Sequence, residues 1–212
     1  MAWFSRISRF GDVHLVYGQE AGMSCGIAST MMCVFKINKL KPGATALTVE
    51  TDIDAKYEAA IGKAYDSETT GTFPDKLATV LNGFTSGNWK SHLFQPGDVP
   101  QALIDKVGIT TGFGPTLNCE PVIMGVDWDL GGAHWVVVDT IREFSGHHAT
   151  VCDPWDTNVH IQKFKTGSPF YYDAASGGFS IDFWGEHKGK KNPYKGNSAK
   201  GQVKTWGMIY RD

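Results

Sequence analysis

Residues 19–35 read Gln-Glu-Ala-Gly-Met-Ser-Cys-Gly-Ile-Ala-Ser-Thr-Met-Met-Cys-Val-Phe. Ser24 is a favoured N-cap residue, and Ile27, Met31, Val34 and Phe35 recur at i, i+4, i+7 and i+8, which predicts an amphipathic helix opening at or just after Cys25. Cys25 then lies on the first turn, where unpaired amides and the positive end of the helix dipole favour thiolate over thiol. Gln19 lies six residues upstream. Its side-chain amide, held on the loop entering the helix, can point its NH2 at the same space as the Cys25 N–H, and two such donors make an oxyanion hole.

Working outward, the 212 residues suffice for one large domain, or two lobes sharing a cleft, with a sizeable core. A net charge of −2 without a dense Lys/Arg block argues against nucleic acid as the main partner. The local basic patch of Lys188, Lys190, Lys191 and Lys195 reads as a solvated loop. The N-terminal ten residues lack the continuous apolar core of a Sec signal, and no run approaches a membrane span, so the expectation is a soluble protein, cytoplasmic as synthesised. Cys25, Cys33, Cys119 and Cys152 are too few and too scattered for a disulfide framework, which makes reduced thiols the default. The stretch before Gln19 leaves no room for a long inhibitory prosegment, so no zymogen is expected.

Along the chain, residues 12–17 alternate as a short strand, and Lys41-Pro42-Gly43 breaks the chain after the Cys25 helix. Helices are expected over Ile53 to Tyr65, from Thr72-Phe73-Pro74-Asp75 through Leu81 to a stop at Asn82-Gly83, and over Val99 to Val107, capped by Asp98 and ended by Gly108. After the Gly112-Phe113-Gly114-Pro115 turn the composition becomes β-branched. Strands are expected over Pro121 to Trp128, Ala133 to Glu143, His148 to Asp153, Asn158 to Phe164, Phe179 to Trp184 and Val203 to Tyr210, with turns at Gly131-Gly132 and Ser145-Gly146. The reading is therefore α+β: residues 1–117 mainly helical, 118–212 mainly antiparallel strand, and a cleft between.

A thiol nucleophile needs a base. Gly-Gly-Ala-His-Trp-Val-Val-Val puts His134 at the opening of a buried strand, next to a flexible loop. The base needs an orienting acceptor, and Asp153 is the candidate. If Ser145-Gly146 is a two-residue turn, Phe144 opposes His147, Val138 opposes Asp153 and Thr157 opposes His134, so His134 and Asp153 share a face while Asp156 and Asn158 point away. That register separates His134 and Asp153 by four residues, roughly 13 Å in a flat ladder, so a bulge, strong coiling or a different turn must bring them together. The competing constellation is a metal site from His147, His148, Cys152 and Asp153 with Cys119. In a strand, His148 and Cys152 face one side and His147 and Asp153 the other, so it does not converge. No cofactor or metal is expected. Trp128, Trp135, Trp155 and Phe170-Tyr171-Tyr172 read as core or cleft lining.

Gln-x5-Cys-Gly followed by an apolar helix resembles the cysteine peptidases of the papain fold, which place an oxyanion glutamine six residues before the nucleophile on their central helix. The style of Ser-Cys-Gly-Ile-Ala-Ser is similar to staphopain-like effector proteases and double-glycine leader peptidases. The His134 setting resembles the same pattern, and Asp153-Pro154-Trp155 resembles the Asp-Pro that ends the catalytic strand of leader peptidases and effector proteases, with Trp155 shielding the pair. Papain itself has Asn where this chain has Asp153, and either side chain accepts from Nδ1–H. The resemblance spans Gln19 to Trp155. It implies a papain-like hydrolase with Cys25 as nucleophile, His134 as base, Asp153 orienting the ring and Gln19 completing the oxyanion hole. It further implies a protein or peptide substrate and a bacterial effector or toxin exported by a specialised secretion system, with a cognate inhibitor or immunity protein as a possible partner. The same apparatus runs deamidation, transglutamination or peptidoglycan amide hydrolysis, and a non-catalytic binding module of this fold is the alternative from another class.

Overall fold

The computed structural model describes residues 3–40, 49–111, 119–174, 180–182 and 200–212, residues 180–182 by backbone alone. The Lys41-Pro42-Gly43 break, the Gly112 to Pro115 turn and the lysine patch at 188–195 lie outside these residues.

Strands β1 (Trp3–Ser8) and β2 (Val13–Tyr17) form an antiparallel hairpin, followed by α1 (Cys25–Ile37), α2 (Thr51–Ile61), α3 (Pro74–Phe84), β3 (Trp89–His92), α4 (Val99–Val107) and β4 (Ile109–Thr110). The second half is β5 (Val122–Trp128), β6 (Ala133–Glu143), β7 (His147–Asp153), β8 (Asn158–Phe164), β9 (Tyr171–Asp173), β10 (Ser180–Asp182), β11 (Lys200–Gln202) and β12 (Met208–Arg211). The architecture is mixed α+β with a mostly antiparallel sheet. One sheet runs β10-β1-β2. The larger runs β3-β12-β5-β6-β7-β8, with β11 bridging β5 and β9, and β4 parallel to β6.

Several boundaries differ from the sequence reading, each for a local reason. Helix α2 stops at Ile61 rather than Tyr65 because Gly62 turns left-handed (φ 70°) and its N–H caps the Glu58 carbonyl. Helix α3 continues past Asn82-Gly83 to Phe84, and the Asn82 side chain bonds both the N–H and the carbonyl of Trp89, tying α3 to β3. Of the expected strand over 203–210 only the end forms, as β12 from Met208; residues 203–206 are bends that, with Gly207, separate it from β11, which ends at Gln202. The break ends at Gly207 (φ 69°), where an added Cβ would lie 2.3 Å from the His92 carbonyl oxygen. The first half is not purely helical either: β3 pairs with β12, so the large sheet draws strands from both halves of the chain.

Strand β6 explains how the core is divided. Trp135 and Val137 pack with Ile27, Met31 and Leu77 of the helices, whereas Val136 and Val138 pack with Leu103, Met124 and Val151. Burial on both faces is why this strand reads as a continuous apolar run. Beyond Val138 the parity flips, and Ile141 joins the same face as Val136 and Val138. A one-residue irregularity between Val138 and Thr140 accounts for it.

Candidate active site

Cys25 is the first residue of α1 and is half-buried. Ser24 stands before it but makes no side-chain cap. Instead its Oγ accepts from the Ala21 N–H (3.0 Å) and donates to the Ala21 carbonyl (3.1 Å), fixing the loop that enters the helix. Gly26 follows because nothing larger fits: a Cβ there would lie 2.0 Å from Thr72 Oγ1 and 3.0 Å from both Leu77 and Trp135. That close approach seats the α1 N-terminus against α3 and β6.

His134 is the second residue of β6 and is buried, stacked on Trp128 at 5.7 Å and flanked edge-on by Trp155 at 6.1 Å. Its Nε2–H donates to Asp153 Oδ1 at 2.8 Å, and its ring is also hydrogen-bonded to Cys25. With Nε2 on Asp153, Nδ1 is the nitrogen that remains for the sulfur. The sequence reading had assigned Nδ1 to the carboxylate; the structure puts Nε2 there.

The register shows how the pair meets. Glu143, not Phe144, opposes His147, so the loop holds the three residues 144–146, and the ladder moves by one more residue at Asp139 before Val138 opposes Val151. Each change brings Asp153 one residue nearer. Continuing the Val137 to Cys152 pairing sets Asp153 across from Val136, two residues from His134 rather than four, a diagonal neighbour within about 8 Å. Thr157 does not oppose His134: β7 ends at Asp153, and Thr157 sits in the turn to β8 (φ 62°), its carbonyl accepting from Arg6 Nε.

Asp153 is fully buried, and the bonds it accepts include those from His134 and the Trp155 N–H (2.8 Å) on Oδ1 and from the Tyr172 hydroxyl (2.6 Å) on Oδ2. Burial alone would raise this carboxyl, but the charge and hydrogen bond of His134, the His160 charge and the Tyr172 hydroxyl hold it well below the ordinary carboxylate range. Burial likewise disfavours a charged His134, and the Asp153 carboxylate and Cys25 sulfur outweigh it, raising the imidazole well above its usual value. Tyr172 could not be assigned this role from sequence, because the docking of β9 against β11 and β8 brings it to Asp153.

The imidazole opens onto a cleft of about 490 Å³ lined by Met23, Thr72, Trp128, Leu130, Trp155 and Trp206, beside Cys25. Gln19 is buried and does not line this cleft. Its NH2 donates to the carbonyls of Ala21 (2.8 Å) and Gly22 (3.3 Å), its Oε1 has no partner among the described residues, and its backbone N–H donates to the Pro154 carbonyl (2.9 Å). The last bond ties the Gln19 loop directly to the Asp153 turn.

The metal set weighed in the sequence does not assemble among the described residues. His147 stacks on Phe164, His148 bonds Arg9 and the Phe144 carbonyl, and the Cys119 sulfur contacts the Thr110 hydroxyl. Two other ligand-type clusters do form: His14, Asp139 and Cys152, and Asp153, Asp156 and His160. In the first, the Lys36 ammonium lies 2.6 Å from Asp139 Oδ1 and His14 holds Oδ2, a charge arrangement that repels a cation. In the second, Asp153 carries the three bonds above and His160 Nε2 bonds Asp156 at 2.8 Å. No protein-family model matches the chain, and no curated protein matches it.

Proposed function

We propose that this protein is a cysteine hydrolase of papain-like organisation, acting on peptide bonds. The observation that carries the reading is one continuous hydrogen-bonded run, Cys25 to His134 to Asp153, whose sulfur end opens into an aromatic-walled cleft. Cys25 sits where a nucleophile is needed, at a helix N-terminus whose free amides face a developing oxyanion. In the reaction, the Cys25 sulfur bonds to the substrate carbonyl carbon, His134 passes the proton to the leaving amine as the C–N bond breaks, and water hydrolyses the thioester with His134 as base. Asp153 keeps Nε2–H engaged, so that Nδ1 is the nitrogen exchanging protons with the sulfur.

The Cys25 N–H is one oxyanion donor. Gln19 is proposed as the second, through release of one of its two NH2 bonds to the loop carbonyls when a substrate carbonyl arrives. Cys33 and Cys152 offer no rival nucleophile, since both are buried and burial pushes both thiols up.

Iodoacetamide labelling below neutral pH with peptide mapping tests the nucleophile: Cys25 is expected to label far ahead of Cys33, Cys119 and Cys152. Digestion of a peptide library with mass analysis tests the reaction, because hydrolysis splits the backbone whereas deamidation leaves it whole. Equal, slow labelling of all four cysteines would favour a binding module over an enzyme.

A further inference from the structure

Helix α1 packs along strand β6 and is tied to it at three levels. At one end Cys25 meets His134. One helical turn on, Ser29 Oγ donates to the Trp135 carbonyl at 3.3 Å. At the far end Lys36 Nζ donates to both the carbonyl (2.5 Å) and Oδ1 (2.6 Å) of Asp139. The two end ties are equally spaced on both elements: eleven helical steps from Cys25 to Lys36 and five strand steps from His134 to Asp139 each cover about 16 Å. Sliding the helix at one end therefore shifts it at the other.

Asp139 is also the residue at which the β6–β7 ladder changes register. Without that change, Asp153 would sit one residue further from His134 and on the opposite face. The bulged carboxylate is gripped from both sides, by Lys36 of α1 on Oδ1 and by the Nδ1–H of His14 of β2 on Oδ2 (2.6 Å). Lys36 reaches it with its side chain only 10% exposed. A lysine so buried at a helix end is not there for solubility.

We propose that Lys36 is a positioning residue for the Cys25–His134–Asp153 site, fixing through Asp139 both the axial setting of α1 on β6 and the bulge that aligns Asp153. The inference rests on the hydrolase reading. Lys36 touches none of the reacting groups, so its effect passes through the relative placement of sulfur and imidazole, where an error of about 1 Å can cost on the order of a hundredfold in rate.

Three variants and the unaltered protein test it by Cys25 labelling with iodoacetamide below neutral pH, each first melted by circular dichroism to measure its folded state. Lys36→Met is expected to slow Cys25 labelling about tenfold or more, the equivalent of one pKa unit of thiolate population. Lys36→Arg, whose guanidinium can still hold both Asp139 oxygens, is expected to label within a few-fold of the unaltered protein. Where Lys36→Met does not fold, the double variant Lys36→Met/Asp139→Asn removes both charges of the pair and is expected to fold and remain slow. A folded Lys36→Met protein that melts lower yet labels at the original rate overturns the proposal, because the clamp is then structural only. Failure of both Lys36→Met and Lys36→Met/Asp139→Asn to fold overturns it as well. If Cys25 of the unaltered protein labels no faster than the other cysteines, the hydrolase reading itself falls, and that result is distinct from a fast Cys25 that ignores Lys36.

Discussion

Cys25, His134 and Asp153 meet at the start of β6, and Cys152, His14 and Asp139 meet beside its bulge, so the same three side-chain types converge twice. Both sets border a cavity, of about 490 Å³ and about 250 Å³. They differ in what balances the carboxylate and in where the sulfur sits. Asp153 is matched by an imidazole that also bonds a half-buried thiol at a helix N-terminus. Asp139 is matched by a fixed ammonium, and the neighbouring Cys152 is buried, with its thiol pushed up by burial and by the Asp139 charge. Three residue types do not make a reactive site by themselves. An anion already compensated by lysine has little left with which to stabilise an imidazolium, and a sealed thiol has no helix amides to stabilise its anion.

The largest expected effect breaks this contrast outright if it fails. Cys25→Ala should lower peptide hydrolysis by at least about a thousandfold, as expected for loss of a covalent nucleophile, while Cys152→Ala should stay within a few-fold. Initial rates on a peptide selected by library digestion measure both, and a dead Cys152→Ala protein would reverse the roles of the two sets. Second, Asp139→Ala strands the Lys36 ammonium in a largely buried site and should cost about 3 kcal/mol or more, read from urea midpoints at constant slope. An unchanged midpoint would mean that the Asp139 set contributes nothing to the fold.

Much of the Cys25–His134–Asp153 set was legible in the sequence, and most of the His14–Asp139–Lys36 set was not. The Cys25 helix announces itself through Ile27, Met31, Val34 and Phe35, all of which are buried, and strand β6 matches its expected span residue for residue. Hairpin arithmetic also gave the correct face for His134 and Asp153 but the wrong separation, because turn length and a bulge each move the ladder by one residue without a composition signal. The His14–Asp139–Lys36 contacts join β2, β6 and α1 over more than a hundred residues of sequence, and no local pattern encodes such a meeting. Tyr172 was read as lining for the same reason: its hydroxyl role depends on where β9 docks.

Third in size, Tyr172→Phe sharpens the comparison by removing from Asp153 the donor that occupies Oδ2, the position that His14 holds on Asp139. A buried carboxylate left one bond short should cost about 1–3 kcal/mol of stability. The variant should retain the His134 bond on Oδ1 and so lose far less activity than Cys25→Ala; a loss as large would make Tyr172 part of the chemistry.

The smallest effect separates the two sets by pH. Asp139 and Asp153 are both held below the ordinary 3.8, so their contribution to stability is present above that value and lost as acid protonates them. Glu50, which accepts from the Glu20 N–H on the loop carrying Gln19, has the opposite sign: burial, with the charges of Glu20 and Asp54, raises it from 4.5 to about 7. The folded protein keeps that proton while the unfolded chain releases it, so the contribution of Glu50 is full below 4.5 and lost as pH rises to about 7. Glu50→Gln should remove the Glu50 share of this decline and leave the share of Asp54, which burial and the Glu58 and Glu20 charges raise from 3.8 to about 6, while the acid limb set by Asp139 and Asp153 stays where it was. Only the Cys25 set has Glu50 beneath its loop, so a flatter profile in Glu50→Gln that also tracks Cys25 labelling would join the proton to that site, whereas an unchanged profile would remove Glu50 from it.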